Sequence, residues 1–223
     1  MSRPSCVGFT LTISGVIGGT ATYSGGFTKT GPGTLTLGGT NTFTGPLIIA
    51  AGTLNSTGAD KIADTVPLTI NAGATWDLAA GNDSVGSLAG AGTLTVTGST
   101  ARNPGFGADN TNTTFTGLLG GTLGNSISKR GSGVWTVAMP VTSTWVGGNT
   151  YLDAGVIRVA TGFGQQFNPT AVLVVNNAPQ GLENQQASAT VTTPSGAEIE
   201  LNLTGTHIGT TVTYKGNFTK PEE

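Results

Sequence analysis

The stretch Phe27-Thr-Lys-Thr-Gly-Pro-Gly-Thr-Leu-Thr-Leu37 recurs as Ile127-Ser-Lys-Arg-Gly-Ser-Gly-Val-Trp-Thr-Val137, displaced by 100 residues. The lysine, both glycines and the last threonine, Thr36, keep their places. A shorter match follows slightly later, where Ala51-Gly-Thr-Leu54 corresponds to Ala154-Gly-Val-Ile157. Self-similarity at a long period indicates a structural unit that has been copied and stacked. The repeat therefore predicts a solenoid, in which each unit contacts mainly its neighbours.

A third copy lies near the end of the sequence. Ile17–Lys29 is echoed by Ile208–Lys220, after which Pro221-Glu-Glu223 replaces the glycine-rich run. Two interpretations stay open, a piece cut from a longer array or a subunit whose end meets the start of the next copy. In either case we expect the C-terminal copy to form a coil with the same cross-section as the N-terminal one.

Short alternating runs bounded by glycine cover the sequence, whereas helical periodicity is nearly absent. In Thr34-Leu-Thr-Leu37 the leucines point to one face and the threonines to the other. A sandwich or barrel would also contain such strands. The long repeat instead favours a right-handed parallel β-helix with several coils of roughly 20 to 30 residues in each unit. The predicted strands are 9–13, 34–37, 47–49, 68–70, 93–97, 134–137, 156–159, 172–175, 189–193, 198–203 and 211–214.

The composition excludes some classes of function. Nine Lys and Arg stand against eleven Asp and Glu, so no basic surface favours nucleic acid. No apolar run is long enough for a membrane-spanning helix, and the N-terminus lacks the apolar core of a signal peptide. The single cysteine, Cys6, cannot form an intrachain disulfide and is interpreted as a small or incidental residue.

Several motifs carry a family resemblance. The run Gly26–Gly45 with Ala50–Leu54, the run Asp83–Val96 and the run Thr116–Gly121 resemble the autotransporter-associated β-strand repeat of bacterial surface proteins. The resemblance covers about residues 9–176. It implies a parallel β-helix passenger exported to the cell surface.

We divide the chain into two parts. Residues 1–176 are predicted to be solenoid repeats, with units beginning near residues 9 and 115. Residues 177–223 are predicted to be a C-terminal cap or the start of a further repeat. Within them, Ala187–Leu203 alternates as a hairpin around Thr193–Gly196, which would protect the open edge of the last coil.

Reactive side chains are few and scattered. His207 is the only histidine, so no multi-histidine metal site exists, and it is interpreted as an ordinary surface residue. Asp60, Asp64 and Asp77 are the carboxylates that a carbohydrate-active β-helix would use, since paired carboxylates hydrolyse glycosides. The simpler interpretation is that they are solvated turn residues. No cofactor or metal site is predicted.

Other repeated residues have structural interpretations. Lys29 and Lys129 are expected at one edge of the solenoid, as turn charges that discourage wrong strand pairing. The aromatic residues are expected to stack in the core, with sugar binding by exposed rings as the alternative; they are Phe43, Trp76, Trp135, Trp145 and Tyr151. Frequent Thr-x-Thr triplets raise a third possibility, ice binding, although no strict short period is evident in the sequence.

The leading functional hypothesis is a structural, non-enzymatic extracellular protein: a surface stalk, an adhesin segment or a self-assembling fibre subunit. Its expected partner is itself, head to tail, or adjacent segments of a longer chain, with a glycan or cell-surface ligand as a further possibility. The residues assigned to self-association are the matched aromatic and lysine positions of the first and last copies, Tyr23, Phe27, Lys29, Tyr214, Phe218 and Lys220.

Overall fold

Glycine turns and alternating Thr/Leu runs fold into short strands, and the structure, a computed structural model, contains no helix among the residues it describes. Those residues are 8–18, 24–79, 81–121, 125–138, 147–159, 173–176, 187–192, 198–203 and 211–214. Accordingly, this part of the chain offers no helix that is long and apolar enough to cross a membrane.

Each of the eleven predicted strands is found within one or two residues of its predicted position, and nine further strands in the described residues were not predicted. In chain order they are β1 (Thr10–Ile13), β2 (Phe27–Lys29), β3 (Thr34–Leu37), β4 (Leu47–Ile49), β5 (Thr53–Ser56), β6 (Pro67–Ile70), β7 (Thr75–Asp77), β8 (Ser87–Gly90), β9 (Thr93–Thr95), β10 (Gly105–Phe106), β11 (Thr113–Phe115), β12 (Leu118–Leu119), β13 (Asn125–Lys129), β14 (Val134–Val137), β15 (Gly147–Leu152), β16 (Val156–Val159), β17 (Leu173–Asn176), β18 (Ala187–Thr192), β19 (Glu198–Leu203) and β20 (Thr211–Tyr214).

Three sheets form the sides of a β-solenoid of about six turns, as predicted. Sheet 1 has the order β1-β3-β5-β7-β9-β12, and sheet 2 has the order β16-β14-β11-β8-β6-β4-β2. Sheet 3 has the order β10-β13-β15-β17-β20. Parallel strands adjacent in a sheet are one coil apart in sequence, from 18 residues (Thr75 to Thr93) to 25 residues (Gly90 to Phe115). The chain thus winds through the sides in turn, and the strands of the three sheets pair in parallel except at β20.

Stacking of coils builds the core as columns of identical register. The inward column of sheet 1 is Leu11, Leu35, Leu54, Trp76, Leu94 and Leu119, and from Leu35 onward every member is buried. Each fully buried side chain of this size contributes about 1.5 to 3 kcal/mol. Phe43 and Trp135 are also buried, which confirms the core interpretation for these aromatic residues. Trp145 lies outside the described residues.

The last strands depart from parallel pairing. β18 and β19 pair antiparallel, which confirms the predicted hairpin, and β18 lies beside β16 at the end of sheet 2. β20 pairs antiparallel with β17. The expectation that the C-terminal copy repeats a coil of the same cross-section was therefore wrong in strand direction, because a further coil would have paired in parallel.

The two repeated lysines lie on different sides of the solenoid. Lys29 ends β2 in sheet 2, whereas Lys129 ends β13 in sheet 3, so the prediction of one shared edge was wrong. The reason is coil length. The register partner of Lys29 is Phe115 four coils later and Val137 five coils later. A displacement of 100 residues falls between the two, so the motif is kept while its place on the cross-section moves.

Candidate functional site

The repeated motif builds a corner in which a lysine caps backbone carbonyls. Lys29 Nζ donates to the carbonyl oxygens of Thr30 (2.9 Å) and Gly31 (2.8 Å) in its own turn. It also donates to Ala51 O (3.0 Å) in the next coil. One ammonium group therefore closes the turn between β2 and β3 and joins two successive coils.

Lys129 repeats this arrangement on another side of the solenoid. Its Nζ donates to the carbonyl oxygens of Arg130 and Gly131, the latter at 2.8 Å, and to Ala154 O of the next coil at 3.4 Å. The two corners match atom for atom, although they belong to different sheets. The motif thus specifies a local corner and not a position around the axis.

A glycine in the following coil leaves room for each ammonium group. Gly52 has φ +70° and Gly155 has φ +71°. A Cβ on Gly52 would lie 2.4 Å from Gly33 O and 2.8 Å from Lys29 Nζ. A Cβ on Gly155 would lie 2.5 Å from Gly131 O and 2.9 Å from Lys129 Nζ. Lysine and glycine therefore form one packing unit, which we call the lysine corner.

Both corner lysines are buried and bonded within the stack, so the interpretation of Lys29 and Lys129 as turn charges that discourage wrong strand pairing was wrong. Burial lowers the pKa of both side chains, and the carboxylate of Asp109 partly opposes this shift at Lys129. Each ammonium group is surrounded by carbonyl oxygens of its own chain. The arrangement suits a structural clamp, because charge-assisted hydrogen bonds are the strong ones.

A second kind of corner joins sheet 1 to the third side of the coils. Asn41 Oδ1 accepts a hydrogen bond from Ile17 N (2.7 Å), and Asn125 Oδ1 accepts one from Arg102 N (2.9 Å). Asp83 Oδ1 accepts one from Ile62 N (3.3 Å). Each side chain bonds a backbone amide of the preceding coil, so these buried polar residues also act between coils.

Asp83 is the titratable group that this packing perturbs most clearly. Burial raises the pKa of Asp83 from 3.8 to about 7, and the Asp60 carboxylate adds to the rise. Hydrogen bonding from the Ile62 amide and the Ser56 hydroxyl opposes it. The side chain is only 1% exposed, so this carboxyl acts on the stability of the chain more readily than on a ligand.

The carboxylates suggested for an enzyme have separate partners. Asp64 pairs with Arg130 (3.1 Å between Oδ2 and Nη1). Asp77 accepts hydrogen bonds from Thr97 N (3.1 Å) and Thr97 Oγ1 (2.6 Å). Asp60 lies in a turn at φ 56°. The contacts thus hold Asp64 and Asp77 to different parts of the chain.

Arg130 extends along the solenoid axis over several coils. Beyond Asp64, its Nη1 donates to Ser84 Oγ at 3.4 Å, and its Nε lies 3.9 Å from Asp153 Oδ2. Gly105 lies under the guanidinium, where a Cβ would come within 2.7 Å of Arg130 Cζ. This half-exposed ion pair is expected to contribute little stability.

Threonines form ranks on the outer face of sheet 1. One register column is Thr10, Thr34, Thr53, Thr75 and Thr93. The neighbouring column is Thr12, Thr36, Asn55, Asp77 and Thr95. The first column is a short period that the sequence did not reveal, because five successive coils place a threonine at the same register, whereas Asn55 and Asp77 interrupt the second column.

The first coil exposes apolar side chains. Phe9, Leu11 and Val16 are 85%, 60% and 55% exposed, although Leu11 belongs to the inward column of sheet 1. β1 pairs only with β3 and β2 only with β4, so both strands have a free edge within the described part of the chain.

The structure describes three of the six residues assigned to self-association. Phe27 is half-buried and packs against Phe43, with 6.1 Å between the ring centroids, and Lys29 is buried in its corner. Tyr214 ends β20. Tyr23, Phe218 and Lys220 lie outside the described residues. Their joint role stays a prediction.

Two residues considered for chemistry, Cys6 and His207, also lie outside the described residues. Across the residues that are described, no group of three or more His, Cys, Asp or Glu side chains could hold a metal ion.

The lysine corner could have been found from the sequence. Lysine recurs with an Ala-Gly pair 22 residues after Lys29 and 25 residues after Lys129, at Ala51 and Ala154. Two residues that recur together about one coil apart are expected to touch between stacked coils. The burial of Asp83 gives no such signal, since aspartate between asparagine and serine, as in Gly81-Asn-Asp-Ser84, is typical of a solvated turn.

No curated protein and no solved structure is significantly similar to the chain. A family model does match, over residues 27–55, which contain the first lysine corner with Lys29, Ala51 and Gly52. The resemblance stated from the sequence is thereby confirmed: this stretch matches the passenger-associated-transport-repeat family.

Proposed function

We propose that the chain is a non-enzymatic structural segment of a bacterial surface protein, displayed outside the cell as part of an exported passenger. The family match and the β-solenoid support this proposal. The observation that carries it is what the repeat preserves: a capping lysine, corner glycines and inward apolar side chains, which build coils. In a repeat that served catalysis, we would expect the repeated residues to be reactive side chains gathered in one place.

Location is tested on intact cells of the source bacterium. Antibodies raised against the purified chain are expected to label intact cells, and external protease is expected to remove the signal. A cytoplasmic protein serves as the control for cell integrity. Labelling that requires permeabilised cells would contradict display at the surface.

The proposed partner is a further coil of the same kind, from a second copy or from an adjacent segment of a longer chain. Support comes from the first coil. Among the described residues its strand edges have no pairing partner, and Phe9, Leu11 and Val16 are exposed, which matches what stacking would cover. Unpaired strand edges favour strand addition. A head-to-tail contact that does not close produces a filament.

Leu11→Glu is expected to reduce self-association at least tenfold, because it places a charge in the inward column at the open edge. Sedimentation velocity over a concentration series measures the association. Thr114→Glu, an exposed position on β11 in the middle of sheet 2, is the matched control and should leave association unchanged. Equal association of the two variants, or a wild-type chain that stays monomeric at high concentration, would contradict stacking at this edge.

Ice binding is the second candidate function, and the threonine ranks on sheet 1 specifically favour it. Hydroxyls of the first column, from Thr10 to Thr93, repeat about every 4.8 Å across strands, a single rank that ordered water can match. Thermal hysteresis of the purified chain tests the idea. Freezing behaviour equal to that of albumin at the same concentration would remove it.

A further inference from the structure

Asp83 occupies a corner position that asparagine occupies two coils earlier, at Asn41, and two coils later, at Asn125. Its Oδ1 accepts a backbone N–H from the preceding coil, as the Oδ1 atoms of Asn41 and Asn125 do. The three side chains therefore share one role through their first polar atom. They differ in what the second polar atom can offer.

In Asn41 the second atom is a donor. Asn41 Nδ2 donates to Lys61 O of the following coil at 2.7 Å and to Gly39 O at 3.2 Å. The corresponding atom of Asp83, Oδ2, is buried and has no hydrogen-bond partner. The Nδ2 atom of Asn125 likewise has no hydrogen-bond partner, so the property that sets Asp83 apart is its charge. A buried carboxylate that no opposite charge compensates is costly, whereas a protonated carboxyl is neutral.

The charges around Asp83 do not compensate an ionised carboxylate. From the preceding coil, Asp60 repels it, and Lys61 contributes its backbone amide. From the following coil, the Arg102 guanidinium donates to the carbonyls of Leu78 and Ala79. Arg130 is bonded to Asp64 and Ser84.

We propose that Asp83 is a proton-dependent latch between coils, which holds the stack when the carboxyl is protonated and weakens it when the carboxyl ionises. The raised pKa of Asp83, about 7 against an ordinary 3.8, agrees in sign. Between these values the folded chain binds more protons than the unfolded chain, so stability falls as pH rises from about 4 to about 7. The stability that depends on protonated Asp83 is fully present below a pH of about 4 and is lost above a pH of about 7.

Urea unfolding of the wild-type chain and of Asp83→Asn at pH 5 and pH 8 tests the latch. We expect the folding equilibrium constant of the wild type to fall roughly 50- to 100-fold more than that of the variant over this interval. At pH 8 the variant should be the more stable of the two, because its amide is uncharged at every pH. Equal pH dependence, or a variant less stable than the wild type at pH 8, would overturn the proposal.

The reciprocal change, Asn41→Asp, places a carboxyl at the asparagine corner two coils earlier. We expect the stability of this variant to fall more steeply with rising pH than that of the wild type, because a second buried carboxyl would ionise. Unchanged pH dependence would count against a shared role of these corners. Carbon-13 NMR of the aspartate carboxyls measures the titration midpoint of Asp83 in the wild-type chain, without any substitution. A midpoint near 7 for Asp83 supports the latch, and one near 3.8 refutes it.

Discussion

Lys29→Met is expected to lower the free energy of unfolding by about 3 kcal/mol, since each buried group left without a hydrogen bond costs about 1 to 3 kcal/mol. The methionine side chain fills similar space and removes the three donors to Thr30, Gly31 and Ala51. Because Ala51 belongs to the next coil, the loss acts on the stacking of two coils. Urea unfolding at pH 7, followed by circular dichroism, measures it.

Two further variants sharpen this result. Lys129→Met should cost a similar amount, because its corner makes the same contacts on another side of the solenoid. Lys61→Met removes the same charge from a half-buried side chain outside either corner and should change stability by less than about 0.5 kcal/mol. A cost for Lys29→Met no larger than that for Lys61→Met would show that the corner hydrogen bonds contribute nothing.

The strands were predictable because the information is local. Thr34-Leu-Thr-Leu37 alternates with period two between glycine-rich turns, and in the structure it is β3 with both leucines buried. The solenoid followed from the repeat, since a copied unit that cannot bury its own apolar face must stack on its neighbours.

Position around the axis was not predictable in the same way. Coils are joined by turns that absorb extra residues without disturbing strand pairing, as between Gly90 and Phe115, where one coil takes 25 residues. When coil lengths differ, two residues a fixed number of positions apart in sequence therefore lie on different sides of the solenoid. This is why Lys29 and Lys129 share a motif and lie on different sheets.

The candidate site was predictable only in part. The sequence drew attention to Lys29, Lys129 and the corner glycines through their recurrence, but it suggested exposure where the structure shows burial. Burial of a polar residue here is decided by the coils above and below, which are about 20 residues away. Asp83 shows the same limit, because its partner Ile62 lies in the preceding coil.

Gly52→Ala is expected to destabilise the chain by about 3 kcal/mol through two separate effects. An alanine at φ +70° costs about 1 to 2 kcal/mol from backbone strain alone. The new Cβ would also lie 2.4 Å from Gly33 O, 2.5 Å from Gly31 O and 2.8 Å from Lys29 Nζ. Relieving this overpacking costs about 1 to 3 kcal/mol more, and it pushes apart the two coils that the ammonium group joins.

Gly73→Ala is the matched control, because Gly73 lies in the turn of the next coil at the corresponding corner and has nearly the same backbone angle, φ +79°. A Cβ at this position would meet no atom within 4 Å. The control therefore reports backbone strain without overpacking, and it should cost about 1 to 2 kcal/mol. The difference between the two variants isolates the close approach of the carbonyls and of Lys29. If both alanines cost the same, coil spacing at the lysine corner is loose enough to admit a methyl group, and the corner is not the rigid clamp that its hydrogen bonds describe.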